Sequence, residues 1–525
     1  MSEPLAGGGG VYALLSDGTT VQIRQARKDD FDGVKAMHEG MSPANAYLRF
    51  FSMSRTAPER EARRLTRDPA PDHAALLAVY GTEVVGVASY ELERPARGST
   101  IGATSAEVAF AVAETMHHRG IATLLLEHLV SLARARGLTA FTAETLSENI
   151  SMLRVFSDAG LPVRTRREQG TVAITIPLLP SEDGSRQLDE YLDTVARRET
   201  SSNVASLRPI FAPKSVAVIG ASRRTGTVGR SVLDNIATSG FAGDLFAVNP
   251  NASRIGGVPS YPDVASLPRT PDLALIALPP AEVLDAAEAL GKRGARGLVV
   301  LTVALDASQS AGLLAACRRH GMRLIGPNCF GVAVPAIGLD ATFAADRPRA
   351  GRAGLVMQSG GLGFALVDHV SRLGIGISSF ASVGNKLDVS SNDMLMWWEQ
   401  DGVTDLAVLY IESFGNPRKF ARTARRVSLR MPVLTVHAAR SAAGRRAAAE
   451  RAALSHSSAS GAAARTTAAL FEQAGIVATP SYGELLEAAA FFAFQRPPSG
   501  RTVAIVANTG GAGVLAADAC ADLGL

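Results

Sequence analysis

Short apolar runs separated by Gly, Pro and polar turns set the rhythm of this chain, and the rhythm changes along it. Up to about residue 178, apolar and polar positions alternate. Val21–Arg24, Ala74–Val79, Val84–Glu91, Ala106–Val112 and Ala140–Thr145 each read as a strand with one buried face. Gly81-Thr82 fits a hairpin between two of them. Asp29–Glu39, with acidic residues at its start, Thr123–Ala135 and Asn149–Ala159, stopped by Gly160, read as helices. From Pro213 the strands become apolar on both faces: SVAVIG, DLFAVN, LALIAL, GLVVLT and RLIGP alternate with helical stretches. Such runs predict a parallel sheet covered by helices on both sides. A second unit of this kind runs from Gly354 (GLVMQSGG) through GIGISSFASVG, DLAVLYIES and PVLTVHAA to about Phe494.

Residues 181–206 have a different character. SEDGSRQ reads as a loop, DEYLDTVARRE as a short charged helix and TSSNVAS as a flexible connector, which marks the clearest boundary. After PPSG, RTVAIVANTGGAGVLAADACADLGL opens a strand and a helix and ends at Leu525. One strand and one helix cannot bury their faces alone, so the expectation is a longer protein.

Composition narrows the class. A chain of 525 residues exceeds one hydrophobic core, which gives a prior of about three or four domains. With 47% hydrophobic and 19% charged residues the chain reads as globular. A net charge of +4 is small for this length, and the arginine-rich stretch 445–453 is short and interrupted, so no nucleic-acid partner is expected. Three cysteines, Cys317, Cys329 and Cys520, exclude a disulfide framework or a zinc cluster and suit a reducing cytoplasm; no metal is expected. Gly7–Gly10 is unlike a secretion signal, and the apolar runs fall short of the roughly 20 residues a membrane helix needs.

Two loops carry the candidate chemistry. His117-His118-Arg119-Gly120-Ile121-Ala122 follows an apolar strand and precedes a helix. Gly220-Ala221-Ser222, with Gly226 and Gly229, does the same after Ser215–Ile219. Helix N-termini offer free N–H donors and partial positive charge, and Gly lets a backbone approach a phosphate closely. Coenzyme A, with its pyrophosphate, suits both.

The stretch AEVAFAVAETMHHRGIATLLLEHLVSLARARGL, then ENISMLRVFSDAGL, resembles the GNAT superfamily of N-acetyltransferases. The resemblance implies an α+β domain over residues 20–178. His118, Arg119, Gly120, Ile121, Ala122 and Thr123 would hold the pyrophosphate of acetyl-CoA. The strand end at Phe110 and Val112 would pair with the pantetheine, and Asn149 would stand at the start of the next helix. His117 departs from the usual Gln or Arg. In the protein-lysine acetyltransferase branch a Glu on this strand is the base that deprotonates the amine, and Glu107 matches it. The alternatives are an exposed strand Glu without a role, or Glu144 on the neighbouring strand.

PKSVAVIGASRRTGTVGRSVLDNI, AVNPN, YPDVASLP, IGPNCFGV, QSGGLGFALVDH, SVGNKLDVSSNDML, LYIESF and SHSSASG occur in the order seen in NDP-forming acyl-CoA synthetases, relatives of the succinyl-CoA synthetase α subunit. The resemblance implies a linker at 179–206, a CoA-binding Rossmann-like domain at 207–345, a flavodoxin-like domain at 346–497 and the start of another at 501–525. Gly220, Ala221, Ser222, Gly226, Gly229, Asn328 and Cys329 would meet CoA. His456 would carry a phosphoryl group, oriented by Glu412. Ser457-Ser458 and His437 depart from the usual pattern, and no ATP-grasp domain is recognised. An NAD site is disfavoured because the acidic ribose-binding residue is missing about 20 residues after the Gly loop.

A GNAT domain ahead of a ligase-like module resembles bacterial protein-lysine acetyltransferases. The implied function is acetyl-CoA-dependent acetylation of protein lysines, with acyl-CoA synthetases as acceptors and the second module sensing CoA species. The alternative is a bifunctional GNAT and ADP-forming acetate–CoA ligase, using ADP and ATP, if a further C-terminal part supplies the nucleotide domain. A small-molecule amine acetyltransferase, or a regulator that only binds, is a third reading. Homo-oligomerisation is left open, and no membrane partner is expected.

Overall fold

The computed structural model describes residues 10–50, 56–68, 70–93, 105–168, 170–178, 184–412, 417–436, 441, 443–444, 446, 464–495, 498 and 500–525. Alternating strands build an eight-stranded sheet in the order Val11–Leu14, Thr20–Gln25, His73–Tyr80, Glu83–Leu92, Ser105–Val112, Ala140–Leu146, Thr171–Pro177, Arg164–Glu168. One face packs Ala106, Val108 and Phe110 against the helix Ile121–Ala135, whose Ile121, Leu125, Leu126 and Leu129 are buried. The other face packs Val87 and Ala111 against the helices Phe31–Glu39 and Ala57–Leu65 through Val34, Met37, Ala62 and Leu65.

Neighbouring strands are antiparallel except Ser105–Val112 and Ala140–Leu146, which run parallel. Their register stops after Ser105↔Ala140, Ala106↔Phe141 and Glu107↔Thr142. Beyond Glu107 one strand stays paired only with Glu83–Leu92, and the other only with Thr171–Pro177. The sheet therefore splits into a wedge between Val108–Val112 and Ala143–Leu146.

Two seven-stranded sheets follow. The first has the order Arg254–Ile255, Val258–Tyr261, Asp244–Val248, Ser215–Ile219, Leu273–Ile276, Gly297–Val300, Arg323–Ile325, and its central strands are parallel and fully buried. The second runs Leu339–Thr342, Gly331–Val334, Ile377–Ser382, Ala350–Met357, Leu406–Tyr410, Val433–Val436, Val477–Thr479. In each, the first parallel strand has its successors on opposite sides, which opens a crevice at the strands' C-terminal ends.

Two expectations are corrected. Residues 200–206, read as a flexible connector, lie within one helix, Gly184–Phe211. Ser, Thr and Asn are weak helix formers, but tertiary contacts override that. Thr200, Ser202, Asn203 and Ser206 are buried, and Leu207, Ile210 and Phe211 enter the core of the following domain. Residues 501–509, read as opening with a strand, form none, because no described strand pairs with them. Val506 is 98% exposed and Leu515, on the helix Gly510–Asp522, 73%. The sequence reading also passed over the helices Pro43–Phe50 and Ala57–Leu65. Among the described residues, no helix is long and apolar enough to cross a membrane, and no His, Cys, Asp or Glu group could hold a metal.

Candidate functional sites for CoA

The strand Ser105–Val112 ends in a loop bent by two left-handed residues, His118 at φ 61° and Gly120 at φ 88°. Left-handed residues within such a turn can aim neighbouring backbone N–H groups toward one side, an anion cradle. The helix's first backbone bond runs from Leu124 N to Gly120 O at 3.0 Å, so the N–H groups of Ile121, Ala122 and Thr123 precede it. A Cβ on Gly120 would meet nothing within 4 Å, so the space in front of the loop is open. His117, where the sequence departs from the family, donates from Nε2 to the Val112 carbonyl at 3.0 Å and braces the strand end. Arg119 is held from behind: its carbonyl accepts from Ser16 N at 3.1 Å and its guanidinium lies 3.3 Å from Asp17. Phe110 is buried, while Val112 lies half-buried along the wedge. Asn149 caps the helix Ile150–Asp158, its Oδ1 accepting from Met152 N at 3.1 Å.

Glu107 stands at the point where the sheet splits, exposed, on the face turned toward the helices Phe31–Glu39 and Ala57–Leu65. Glu144 is exposed on the same face of the neighbouring strand. Beside Glu107 lies a charge network that sequence reading missed. Arg64 reaches Glu61 at 2.7 Å, Glu91 at 2.6 Å and Ser89 Oγ at 3.3 Å; Arg49 also pairs with Glu61. Burial opposes ionisation of Glu61, but the Arg64 hydrogen bond and the Arg49 and Arg64 charges outweigh it and bring its carboxyl down to about 2. The only trace in the sequence is the helical spacing of Glu61 and Arg64.

In the second unit, Gly220 (φ 85°) ends the strand Ser215–Ile219, and a Cβ there would come within 2.5 Å of Ala277 O. Gly226 is also left-handed, at φ 79°. The helix Val228–Thr238 starts after Thr227. Asn249 Nδ2 donates to Ala221 O at 2.7 Å, and Ser222 Oγ accepts from Arg224 N at 3.1 Å, which fixes the loop above the crevice. The Gly326–Asn328 turn lies farther along the chain, but Asn385 N donates to Pro327 O at 2.9 Å, and Asn328 Nδ2 to Asn385 Oδ1 at 3.2 Å. The Asn328 turn and the loop following Ile377–Ser382 are thereby one structure. The Cys329 side chain faces inward: it is 4% exposed, Sγ donates to Val300 O at 3.2 Å, and burial pushes the thiol up to about 12. Only its backbone can line a ligand.

Glu412 N donates to Gln358 Oε1 at 2.9 Å, which sets Glu412 beside the start of the helix Gly360–Arg372. His456, His437 and Ser457-Ser458 lie outside the described residues. A residue that sequence reading missed, Lys386, sits left-handed at φ 53°; burial lowers its amine to about 8, against the Glu412 charge acting the other way. Its position inside SVGNKLD was visible, but its burial was not.

Comparison with known proteins agrees with this layout. Residues 42–161 match the acetyltransferase (GNAT) family, 214–335 a CoA binding domain and 350–492 the succinyl-CoA ligase-like flavodoxin domain. The ADP-forming acetate–CoA ligase I of Archaeoglobus fulgidus is 35% identical over 60% of this chain and 46% of its own length. The α subunit of ADP-forming acetate–CoA ligase I from Pyrococcus furiosus is 33% identical over 61% of this chain and 70% of its own. Among solved structures, the dinucleotide-forming acetyl-coenzyme A synthetase 1 of Ca. Korarchaeum cryptofilum, in complex with phosphate and ADP, aligns at 34% identity and a TM-score of 0.57 over 61% of this chain and 69% of that one. The chain spans 46% of the Archaeoglobus relative and 44% of the corresponding ligase of Methanocaldococcus jannaschii. The GNAT and CoA-binding domains imply acetyl-CoA and CoA as ligands. By its CoA-binding and flavodoxin-like domains the chain belongs to the ADP-forming acyl-CoA ligase family, and ahead of them it carries a GNAT-family acetyltransferase domain.

Proposed function

We propose that this chain is an acetyl-CoA-dependent N-acetyltransferase that acts on protein lysines, with acyl-CoA synthetases as acceptors, and that its ligase-like module binds CoA species and regulates the transfer. The observation that carries this reading is the wedge beyond Glu107, with an anion cradle at its end and a carboxylate at its apex. Pyrophosphate would rest on the N–H groups of residues 118–123, and pantetheine would run along Val108–Val112 as an added strand. The thioester carbonyl would then lie near the apex. A lysine arrives as an ammonium and cannot attack until it loses a proton. Glu107 takes that proton, directly or through a water. The nitrogen lone pair forms a bond to the carbonyl carbon, and strand N–H groups stabilise the oxyanion. The C–S bond then breaks and the CoA sulfur leaves with the second amine proton. A positioned base supplies about 10²–10⁴-fold of such a rate.

The test is to incubate the full chain with acetyl-CoA and purified acyl-CoA synthetases and map acetyl-lysine by mass spectrometry. Acceptors that stay unmodified across the panel would sink the protein-lysine reading.

A second reading is favoured by the relatives, which are ADP-forming ligases. A bifunctional protein would add acetate–CoA ligase chemistry when further chain supplies a nucleotide domain, with phosphate passing through His456 and Glu412 orienting it. Acid-labile phosphohistidine formed from acetyl phosphate and CoA, and lost in His456→Ala, would favour it. ATP-dependent acetyl-CoA synthesis by this chain alone would replace the sensor reading.

A further inference from the structure

Glu91 and Glu107 are directly opposed Cα partners on neighbouring antiparallel strands. Opposed residues project to the same face about 5 Å apart, and two like charges there repel. Glu91 is not left bare. Arg64 Nη1 lies 2.6 Å from its Oε1, and Arg67 Nη2 3.4 Å from the same atom. Arg64 is locked in turn by the second bond to Glu61, itself shared with Arg49.

The other groups on this face are accounted for. Glu93 accepts hydrogen bonds from the hydroxyls of Ser105 (2.5 Å) and Thr142 (also 2.5 Å), and Glu144 is exposed on the strand beyond. His38, on the helix Phe31–Glu39, is buried, bonded through Nδ1 to Val34 O, and burial lowers its pKa, so it adds no charge near neutrality. Glu61, Glu91 and Glu107 thus face Arg49, Arg64 and Arg67. Glu61 and Glu91 are consumed in ion pairs, while Glu107 lies directly opposite the cancelled Glu91 and also feels the charge of the buried Arg49.

We infer that Arg64 is a positioning residue that sets the charge of the acceptor mouth: by cancelling Glu91 it neutralises the carboxylate directly opposite Glu107, which an incoming alkylammonium would otherwise meet beside the base. This rests on the reading of Glu107 as the base. The consequence is kinetic. Two bare carboxylates would hold the acceptor in its protonated form, which binds well and does not react. Binding gained by the ammonium and not by the transition state lowers KM and kcat together.

The test compares steady-state acetylation of an acyl-CoA synthetase by the full chain and by Arg64→Gln, Arg64→Lys, Arg64→Gln/Glu91→Gln and Glu107→Gln. Arg64→Gln should lower the acceptor KM several-fold and kcat by about tenfold at neutral pH, and should move the rise in kcat to higher pH by about one unit. Arg64→Lys, which keeps the charge, should recover most of kcat. The double variant, which removes the charge Arg64 cancels, should return KM and the pH profile toward the parent.

A purely structural role predicts a raised KM or a uniform loss, and no rescue by Glu91→Gln; that result overturns the proposal, as does an Arg64→Gln chain with unchanged KM and pH profile. If Arg64→Gln fails to fold by circular dichroism, Arg64→Lys and the double variant decide the matter by the same split. Glu107→Gln with normal turnover overturns the base reading and this inference with it. Loss of turnover in Glu107→Gln beside a parent-like Arg64→Gln overturns this inference alone.

Discussion

Gly229, in the first turn of its helix, packs directly on Gly220, the last left-handed residue of the preceding strand end. A Cβ at 229 would lie 2.7 Å from the Gly220 carbonyl oxygen and 3.2 Å from Ala277 Cβ. Helix start and strand end meet backbone to backbone, and that contact holds the helix N-terminus over the crevice. Gly229→Val should therefore push the helix off the strand and weaken CoA binding by the second module by about tenfold. Calorimetry on the full chain should then resolve one tight site where the parent has two. Two unchanged binding events in the variant would show that the Gly220 loop does not hold CoA.

Gly120 poses the opposite case. Space is open around it, and φ of 88° is the obstacle. Gly120→Asp adds a strain of about 1–2 kcal/mol and puts a carboxylate where pyrophosphate should sit. The expected outcome is loss of detectable acetyl-CoA binding at the GNAT site, read by calorimetry. Retained affinity would remove the loop from the acetyl-CoA site.

Glu107→Gln should cut turnover by about 10²–10⁴-fold with little change in acetyl-CoA affinity. The deficit should narrow at high pH, where more of the free lysine is already neutral. Normal turnover near pH 7 would shift the base to Glu144 or to solvent.

Much of this was legible in the sequence, for physical reasons. Alternation marked five of the eight strands of the first sheet, leaving out Val11–Leu14, Arg164–Glu168 and Thr171–Pro177; unbroken apolar runs marked the parallel ones, and Gly120 and Gly220 marked loops where backbone could approach a phosphate closely. Three things were hidden. Residues 200–206 have poor helix propensity, and their helix is held by contacts with residues far along the chain, such as Asn203 Nδ2 to Asp393 O at 3.0 Å. The wedge depends on where the register of two strands stops, which no local pattern encodes. The inward turn of Cys329 and the cancellation of Glu91 by Arg64 depend on tertiary packing that spacing does not report.

The Glu61 network makes the fold acid-sensitive. Its carboxyl titrates at about 2 in the folded chain against an ordinary 4.5. A depressed folded value gives stability that is present above the unfolded pKa and lost as pH falls from about 4.5 toward 2. The expected loss is on the order of 2 kcal/mol, discounted for partial exposure. Glu61→Gln should be less stable at neutral pH and should show a flatter decline across that window in urea melts. An unchanged decline would assign the acid sensitivity to other carboxylates.

Arg323 is the last case, because it ties the long helix to both later domains. It is 5% exposed and lies between Asp388 at 2.8 Å and Asp393 at 3.1 Å, with Asn203 Oδ1 at 3.2 Å and Ser206 Oγ also bonded. Asp388 in turn accepts from Leu324 N at 2.9 Å, so strand, loop and helix share one cation. Burial disfavours the charge, but the two carboxylates outweigh it and raise the pKa of the guanidinium. Arg323→Met would keep the bulk and leave two partly buried carboxylates facing each other without a counter-charge. Breaking a buried pair this way costs about 3–5 kcal/mol. The cost should fall on the CoA-binding and flavodoxin-like domains and on the helix Gly184–Phe211, whose Leu207, Ile210 and Phe211 pack in the same core. In the variant, limited trypsin digestion should cut at Arg197 or Arg198 at lower urea than in the parent, while acetyl-CoA binding by the GNAT site persists. Parent-like proteolysis would mean that apolar packing alone secures the helix and that the Arg323 cluster adds nothing to the joint.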